Sequence, residues 1–422
     1  MIRAGLSGRG GVGSRAIRPG HLPLAVFRGA AVDANQIKRI GLMRIDRPTA
    51  VLAILLAGVV SLHAHGRYRT PVRIPDIPGY LTLKCDFHMH TVFSDGKVWP
   101  DVRAEEAWRE GLDAIAITDH IEYQPHKADL PTNHNRSYEI AKPAGDTLQV
   151  IVIRGSEITR SMPPGHLNAI FLKDASKLET KNWRDAVKAA QDQGAFIFWN
   201  HPGWTGQQPD GVARWYDEHT ELLQQGALKG IEVVNTRSYY PEAHRWCLEK
   251  KLTMLSNSDI HAPLNLDFDV HEGDHRPITL VFARERTAEG VREALFNRRT
   301  AVYSGEMLVG EERFLRPIFE RSLVLIPPTG RIKGKGRVYA QLRNESEVPI
   351  TLKAAGKVNG VTFPGELTVP GLKTVLFEIR GTGTMREGER TFRLPYEVTN
   401  WLVEPEKGLR VELPVAVRFA NP

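Results

Sequence analysis

The sequence predicts an α/β domain built on a parallel sheet, followed by an all-β module. Three observations predict it. From residue 81 to about 304, short apolar runs alternate with helix-like segments; alternation over that length implies a parallel sheet, closed as a barrel or open. Several runs are unbroken and rich in β-branched or aromatic residues, as strands buried on both faces require. After about residue 310, Pro, Gly and two-residue alternation take over, as in RVYAQLRNES, KTVLFEIRG and LRVELPVAVRF. That text shows no helical period and predicts an all-β module over 312–422, a sandwich.

The chain opens differently. Residues 1–42 are rich in Gly, Ala and Arg without a sustained period, and are expected to be an extension upstream of the native start. Met43 begins MRIDRPTAVLAILLAGVVSLHAHG, with Arg44 and Arg47 ahead of an apolar run over 50–60 and small residues around Ala64. That pattern predicts a secretory signal peptide over 43–65 and a periplasmic or secreted product. The run is shorter than the roughly 20 apolar residues of a membrane span. No Cys follows it to carry a lipid, so no stable membrane anchor is expected. GRGGVGSR (8–15) has the glycines of a phosphate-binding loop, but neither its Lys-Ser/Thr ending nor a preceding strand.

In the α/β part, expected over 81–308, the predicted strands are 81–87, 113–118, 149–154, 167–172, 195–199, 230–234, 252–256 and 278–283. Between them, 101–110, 183–193, 211–225, 241–250 and 287–297 carry apolar residues at helical spacing. Gly111, Gly194 and Gly226 stand where helices stop. The polar stretch 121–147 reads as a loop of the length that usually serves function.

Composition narrows the function classes. The chain has 422 residues and a formal net charge of +7. Residues 1–64 hold nine Lys and Arg against two acids, which leaves 47 of each sign on the rest. The body therefore has no bulk basic field, and no nucleic-acid partner is expected. Two cysteines, Cys85 and Cys247, exclude a disulfide scaffold and a thiolate zinc module.

Chemistry-bearing residues gather at the predicted strand ends. The first strand ends in Asp86-Phe87-His88-Met89-His90; imidazoles two residues apart on an extended strand face one side. Ser94-Asp95-Gly96 follows. Thr118-Asp119-His120 ends the second strand and Gly155-Ser156-Glu157 the third. Gly165-His166 precedes the fourth, Asn200-His201-Pro202 ends the fifth, and Ser258-Asp259-Ile260-His261 repeats the alternate-residue pair. The carboxyl ends of parallel strands host active sites, whereas chance would scatter such residues through helices and loops. The conjunction predicts a metal centre.

This order of HxH, SDG, TDH, a Glu, a further His, H-P and DxH resembles the PHP (polymerase and histidinol phosphatase) family of metal-dependent phosphoesterases over about 81–305. The resemblance implies a distorted (β/α)7 TIM-like barrel and a centre of two or three divalent metals. It implies His88, His90, Asp95, His120, Glu157, His166, His201, Asp259 and His261 as ligands that activate water. The run VVNTRSYYPEAHRWCLEKKLTMLSNSDIHAP and the appended β module resemble, more narrowly, a phosphodiesterase branch described from organophosphate-degrading bacteria. That implies hydrolysis of phosphodiesters by a hydroxide bridging the metals. Nine ligands are too many for one ion, and imidazole-rich, thiolate-free donors suit Zn, Mn or Fe. Glu157 is a natural bridging ligand, and Asp119 is expected to orient a neighbouring His from behind.

The expected partner is a small-molecule phosphate ester. Arg clamps phosphoryl oxygens bidentately, which makes Arg160, Arg237 and Arg136 candidates, joined by the loop residues His134 and Tyr239. His271-Glu272-Gly273-Asp274-His275 fits the HExxH pattern, but Gly273 within it and Pro277 after it predict a loop, not the helix that motif needs. Glu105, Glu106 and Arg109 read as a solvated helix face. Two other functions compete: a phosphomonoesterase of the histidinol-phosphatase kind, and an envelope- or glycan-binding protein with an inactive barrel. The oligomeric state is left open.

Overall fold

The computed structural model describes residues 69–421. The expected extension over 1–42 and signal peptide over 43–65 lie outside the described residues. The α/β part comprises β1 (Leu81–Asp86), α1 (Pro100–Arg109), β2 (Ala114–Ile117), α2 (Arg136–Leu148), β3 (Ile151–Ile158) and β4 (Leu167–Ile170). It continues through α3 (Trp183–Asp192), β5 (Phe196–Trp199), α4 (Asp217–Gln224), β6 (Leu228–Asn235), a two-residue β7 (Ser238–Tyr239) and α5 (Pro241–Lys250). It ends with β8 (Thr253–Asn257), the one-turn α6 (Leu264–Asp267), β9 (Ile278–Ala283), α7 (Ala288–Phe296) and β10 (Thr300–Ser304). Each predicted strand is present. β2, β4, β5, β8 and β9 are buried at every residue, which is why their text is unbroken.

The stretch 121–147 is only partly loop, because α2 occupies Arg136–Leu148 despite Pro143 inside it. Gly145 lets this helix lie close on the sheet: a Cβ there would press on the Val152 side chain and lie 2.7 Å from the Val150 carbonyl. The sheet is mixed rather than parallel throughout. β1, β2 and β3 are parallel, as are β5, β6 and β8. β4 runs antiparallel to both neighbours, and β9 antiparallel to β1 and β10. Reversing β4 places its amino end at the edge where its neighbours have their carboxyl ends.

The expected barrel is distorted to the point of a seam. Among the described residues no backbone ladder joins β8 to β1 or β9, so strand hydrogen bonds do not close it. Side chains span most of the gap, and just past the ends of β1 and β8 one backbone bridge crosses it, with Asp259 N donating to His88 O at 2.9 Å and His90 N to Ile260 O at 3.0 Å. Thr279 Oγ1 accepts from Ser256 N and donates to Ser256 O, both at 2.8 Å, and Thr300 Oγ1 donates to Met254 O at 2.8 Å.

The remaining elements are β11 (Met307–Gly310), α8 (Glu312–Ser322), β12 (Leu323–Ile326), β13 (Arg331–Lys333), β14 (Arg337–Asn344) and β15 (Ile350–Ala354). After them come β16 (Val361–Thr362), β17 (Glu366–Val369), β18 (Thr374–Gly381), β19 (Gly388–Glu404) and β20 (Lys407–Ala420). The expectation of strands alone over 312–422 is corrected by α8, where Phe314, Leu315, Ile318 and Phe319 recur one turn apart and are buried. Two sheets follow, as a sandwich requires. β12, β14, β16 and β18 form one. β13, β15, β17, β19 and β20 belong to the barrel's own sheet, joined to it where β11 pairs in parallel with β19, Leu308 opposite Trp401. One buried cluster accordingly runs from Leu280 and Phe282 of β9 to Leu342, Phe377 and Tyr396 of the module. Among the described residues no helix is long and apolar enough to cross a membrane.

Candidate metal centre

Asp86 ends β1 as a buried carboxylate. It accepts from Ser258 Oγ at 2.5 Å and Arg276 Nη1 at 3.1 Å, which ties the end of β1 to the segment after β8. Beyond it lie His88 and His90, both fully buried. The chain then turns sharply, with Gly96 N donating to Thr91 O at 2.9 Å. A Cβ on Gly96 would meet the His90 carbonyl carbon at 2.5 Å, so only glycine lets the turn close and set Asp95 beside His90. Asp119 holds this turn by accepting from Thr91 N, Thr91 Oγ1 and Ser94 Oγ, each at 2.7 Å. The expectation that Asp119 orients a histidine is thereby corrected: it fixes the loop that carries Asp95.

The fold brings all nine expected side chains together. They fall into four overlapping groups whose donor atoms lie within 4.8 Å of one another: His90, Asp95, His120 and His261; His88, His90 and Glu157; His88, His201 and Asp259; Glu157, His166 and His201. His88 Nε2 lies 2.9 Å from Glu157 Oε2, 3.1 Å from Asp259 Oδ1 and 3.1 Å from His90 Nε2. Asp95 Oδ1 faces His261 Nε2 at 3.2 Å and His120 Nε2 at 3.4 Å. The second Glu157 oxygen lies 2.6 Å from His166 Nδ1 and 3.3 Å from His120 Nδ1. His166 reaches the cluster because β4 is reversed. Asp259 (φ 54°) and His201 (φ 27°) have left-handed backbone, uncommon for non-glycine residues and concentrated where function fixes a side chain.

Without a metal the acids stay ionised while the imidazoles divide: burial lowers His90 and His201, whereas at His88, His120 and His261 burial is outweighed by the neighbouring carboxylates, which raise the ring. Burial, with His120 and His261 adding to it, pulls His90 down to about 3. Burial pushes Glu157 up, but His120 and His166 outweigh it and hold the carboxyl well below its usual range. The same contest, won by His120 and His261, keeps Asp95 low, and His88 with His90 does so for Asp259. Metal binds ionised carboxylates and neutral imidazoles, so a bound cation would displace the protons that the carboxylates hold on His88, His120 and His261. Six imidazoles and three carboxylates, buried or half-buried with overlapping donor groups, fit divalent metal ions.

Two residues that hold this cluster escaped the sequence reading. Glu232, buried in β6, accepts from His88 Nδ1 at 2.8 Å and from the His201 backbone N at 2.7 Å. Its first contact leaves the His88 Nε2 lone pair facing the cluster. A lone acid in the apolar text GIEVV was the available signal. Arg103, buried on α1, donates to the carbonyls of His90 (3.0 Å), Ala262 (2.9 Å) and Ile260 (3.2 Å). Its partner Glu106, 2.7 Å away, accepts from Leu264 N, so Glu106 is not on a purely solvated face.

The expected substrate residues make their hydrogen bonds and ion pairs with groups outside the nine-residue cluster. Arg160 pairs with Glu122 at 2.7 Å and donates to Thr180 O; Arg237 pairs with Asp274 at 2.5 Å; Arg136 pairs with Glu139 at 3.2 Å. His134 is buried 3.5 Å from Glu179. The Tyr239 hydroxyl hydrogen-bonds His244 Nδ1 at 2.9 Å, and burial pushes that hydroxyl up to about 12. Among the described residues no hydrogen bond or ion pair joins these five to the nine clustered side chains; Arg136 and Tyr239 find partners a few residues away, and Arg160, Arg237 and His134 find theirs on other segments. The HExxH text is a one-turn 3-10 helix, Val270–Glu272, ended by left-handed Gly273 (φ 86°). Both cysteines are buried and free.

An α/β frame whose sheet edge gathers six histidines and three acids has the build of a metal-dependent hydrolase. Known proteins agree. A PHP domain matches residues 86–240 and an Ig-like domain residues 324–414. A two-domain protein from Bacteroides vulgatus, described as containing a predicted PHP-like metal-dependent phosphoesterase, is 46% identical. The match covers 83% of this chain and 99% of that one, with a TM-score of 0.78. An uncharacterized protein of Methanocaldococcus jannaschii is 26% identical over 195 residues, 44% of this chain and 84% of its own. The chain belongs to the PHP-like metal-dependent phosphoesterases and carries an Ig-like C-terminal domain.

Proposed function

We propose that this protein hydrolyses phosphodiesters outside the cytoplasm at a centre of two or three divalent ions. The observation that carries the reading is Glu157: its two oxygens face different imidazoles, His88 on one side and His120 with His166 on the other. A carboxylate so placed suits a bridge between ions. His90, Asp95, His120 and His261 would hold one ion, His88, His201 and Asp259 another, and His166 a third with Glu157. Zn, Mn or Fe suits these donors. Such ions supply Lewis acidity and an acidified water. The chain keeps its carboxylates ionised, fixes the His88 tautomer through Glu232, and anchors the ligand loops through Asp86, Arg103 and Asp119.

The diester preference rests on charge. A monoester dianion calls for more cationic clamping than a diester monoanion. Arg160, Arg237 and Arg136 already neutralise Glu122, Asp274 and Glu139. Export rests on the text of residues 43–65. Rates with Mn, Zn or Fe on an aryl phosphodiester and its matching monoester test the first claim. Diester preference is expected; monoester preference would make this a phosphatase, turnover of neither with metal bound would leave only the substrate class open, and a barrel that binds no metal would favour a binding protein. Mass spectrometry of exported protein tests the second, with a mature N-terminus expected near residue 66.

A further inference from the structure

Trp204 is large and aromatic, yet 46% exposed. It follows His201 by three residues, and its backbone N donates to His201 O at 2.9 Å, so one turn carries both side chains. The indole lies 5.3 Å from the His201 ring and 5.8 Å from the His166 ring. Gly206 backs it closely: a Cβ there would meet indole Cζ2 at 2.5 Å. The ring is therefore supported rather than free to swing.

On this flank of the cluster lies a surface cavity of about 320 Å³, walled by Trp204, Tyr239 and Tyr240. Gly203 and Gly211 contribute backbone only, Thr205 and Ser238 line it beside the aromatic residues, and although its lining is more polar than apolar no charged side chain takes part. Gly203 packs tightly on Tyr240, where a Cβ would lie 2.8 Å from ring Cε1. The volume is at the small end of ligand pockets. A neutral, aromatic-walled slot of that size, one indole away from two clustered histidines, suits a single flat ring system and not a charged or polymeric group.

We propose that this slot receives a flat, π-faced substituent of the phosphate ester while the phosphoryl group lies over the histidine–acid cluster. Trp204 then determines specificity for that substituent. The inference rests on the phosphoesterase reading for the anionic end of its ligand. Aryl and nucleobase groups share the required chemistry.

The test uses metal-loaded protein. Calorimetric titration compares phenylphosphonate with methylphosphonate. Hydrolysis compares methyl diesters whose second group is phenyl, nucleoside or methyl. Wild type is expected to bind phenylphosphonate about tenfold tighter than methylphosphonate, the scale of one aromatic stack. Trp204→Ala should bring that ratio close to one, and Trp204→Phe should keep most of it. The larger of the phenyl and nucleoside preferences in KM identifies the source of the ring. Equal binding of the two phosphonates by wild type, or a preference that survives Trp204→Ala, would overturn the slot. Equal hydrolysis of all three esters would also overturn it and leave the phosphoesterase reading intact. A phenyl preference in binding without any hydrolysis would support the slot and count against diesters as the substrate class.

Discussion

A carboxylate buried in an apolar strand is costly unless its oxygens are all engaged. Those of Glu232 are, by His88, the His201 amide, Asn235 and Asn257. Glu232→Ala is expected to weaken metal binding about 10- to 100-fold, the usual scale for a group supporting a ligand. Glu232→Gln should retain part of it, because an amide oxygen still accepts from His88 Nδ1. Isothermal titration with Zn or Mn reads both, and unchanged affinity in the Ala variant would remove Glu232 from the assembly. Asp259→Ala and His261→Ala are expected to reduce turnover to background; near-normal rates in either would contradict the ligand assignment. The nine cluster residues were legible because short motifs carry them. Glu232 was not, because its partner His88 lies 144 residues away. The partners of Arg160 and Arg237 were hidden for the same reason, since an Arg in a loop does not announce the acid it will pair with.

Elements set these side chains by holding loops. Arg103 on α1 gathers the carbonyls after β1 and β8 into one guanidinium. Arg103→Met would take the guanidinium from three carbonyls, of which Ile260 O keeps the His90 amide, and would break the pair with Glu106, so it is expected to lower stability by about 3 kcal/mol. Urea unfolding reads this, with an unshifted midpoint as the contrary result. On α4, His219 stacks on Trp199 with ring centroids 3.7 Å apart and meets Pro164 O at 2.8 Å. Burial pulls it down to about 4, against about 6.5 in an unfolded chain. Between those values the unfolded chain takes up a proton that the folded chain refuses. Stability should therefore fall as pH drops through that window, and this group should add no slope above it. His219→Gln is expected to flatten the decline in urea midpoint between pH 7 and 5; parallel curves would contradict this. Helix α2 was obscured in the text by Pro143, Gly145 and polar neighbours, although its buried Ser137, Ala141 and Gly145 recur at four-residue spacing.

At the scale of the molecule, barrel and sandwich are continuous. The pairing of β11 with β19 and the burial of Trp401 against Phe319, at 6.0 Å between rings, leave no apolar boundary at which to cut. Truncation after residue 310 would expose the β11 edge and the core beneath α8, and is expected to yield aggregated protein. A monodisperse, metal-binding fragment in analytical ultracentrifugation would contradict that. Metal should stabilise the whole unit, because the ligands come from segments spread over residues 88–261. At a thousandfold excess over Kd the gain is about 4 kcal/mol, and chelation should lower the calorimetric Tm accordingly.

By itself the sequence determined the strand–helix alternation, the change to β text after residue 310 and the nine motif residues at the sheet edge. These are properties of neighbours in the chain: periodicity, turn residues and motifs a few residues long. Only the tertiary structure decided that β4 runs backwards and so delivers His166, and that side chains rather than a ladder bridge the β8 seam. It also decided that Glu232 and Arg103 hold the ligands while the loop arginines answer to other acids, and that Trp204 stands open beside His201. Each of those facts depends on which distant group reaches a buried charge, an unpaired strand edge or an aromatic face first, and that contest is settled by packing in three dimensions.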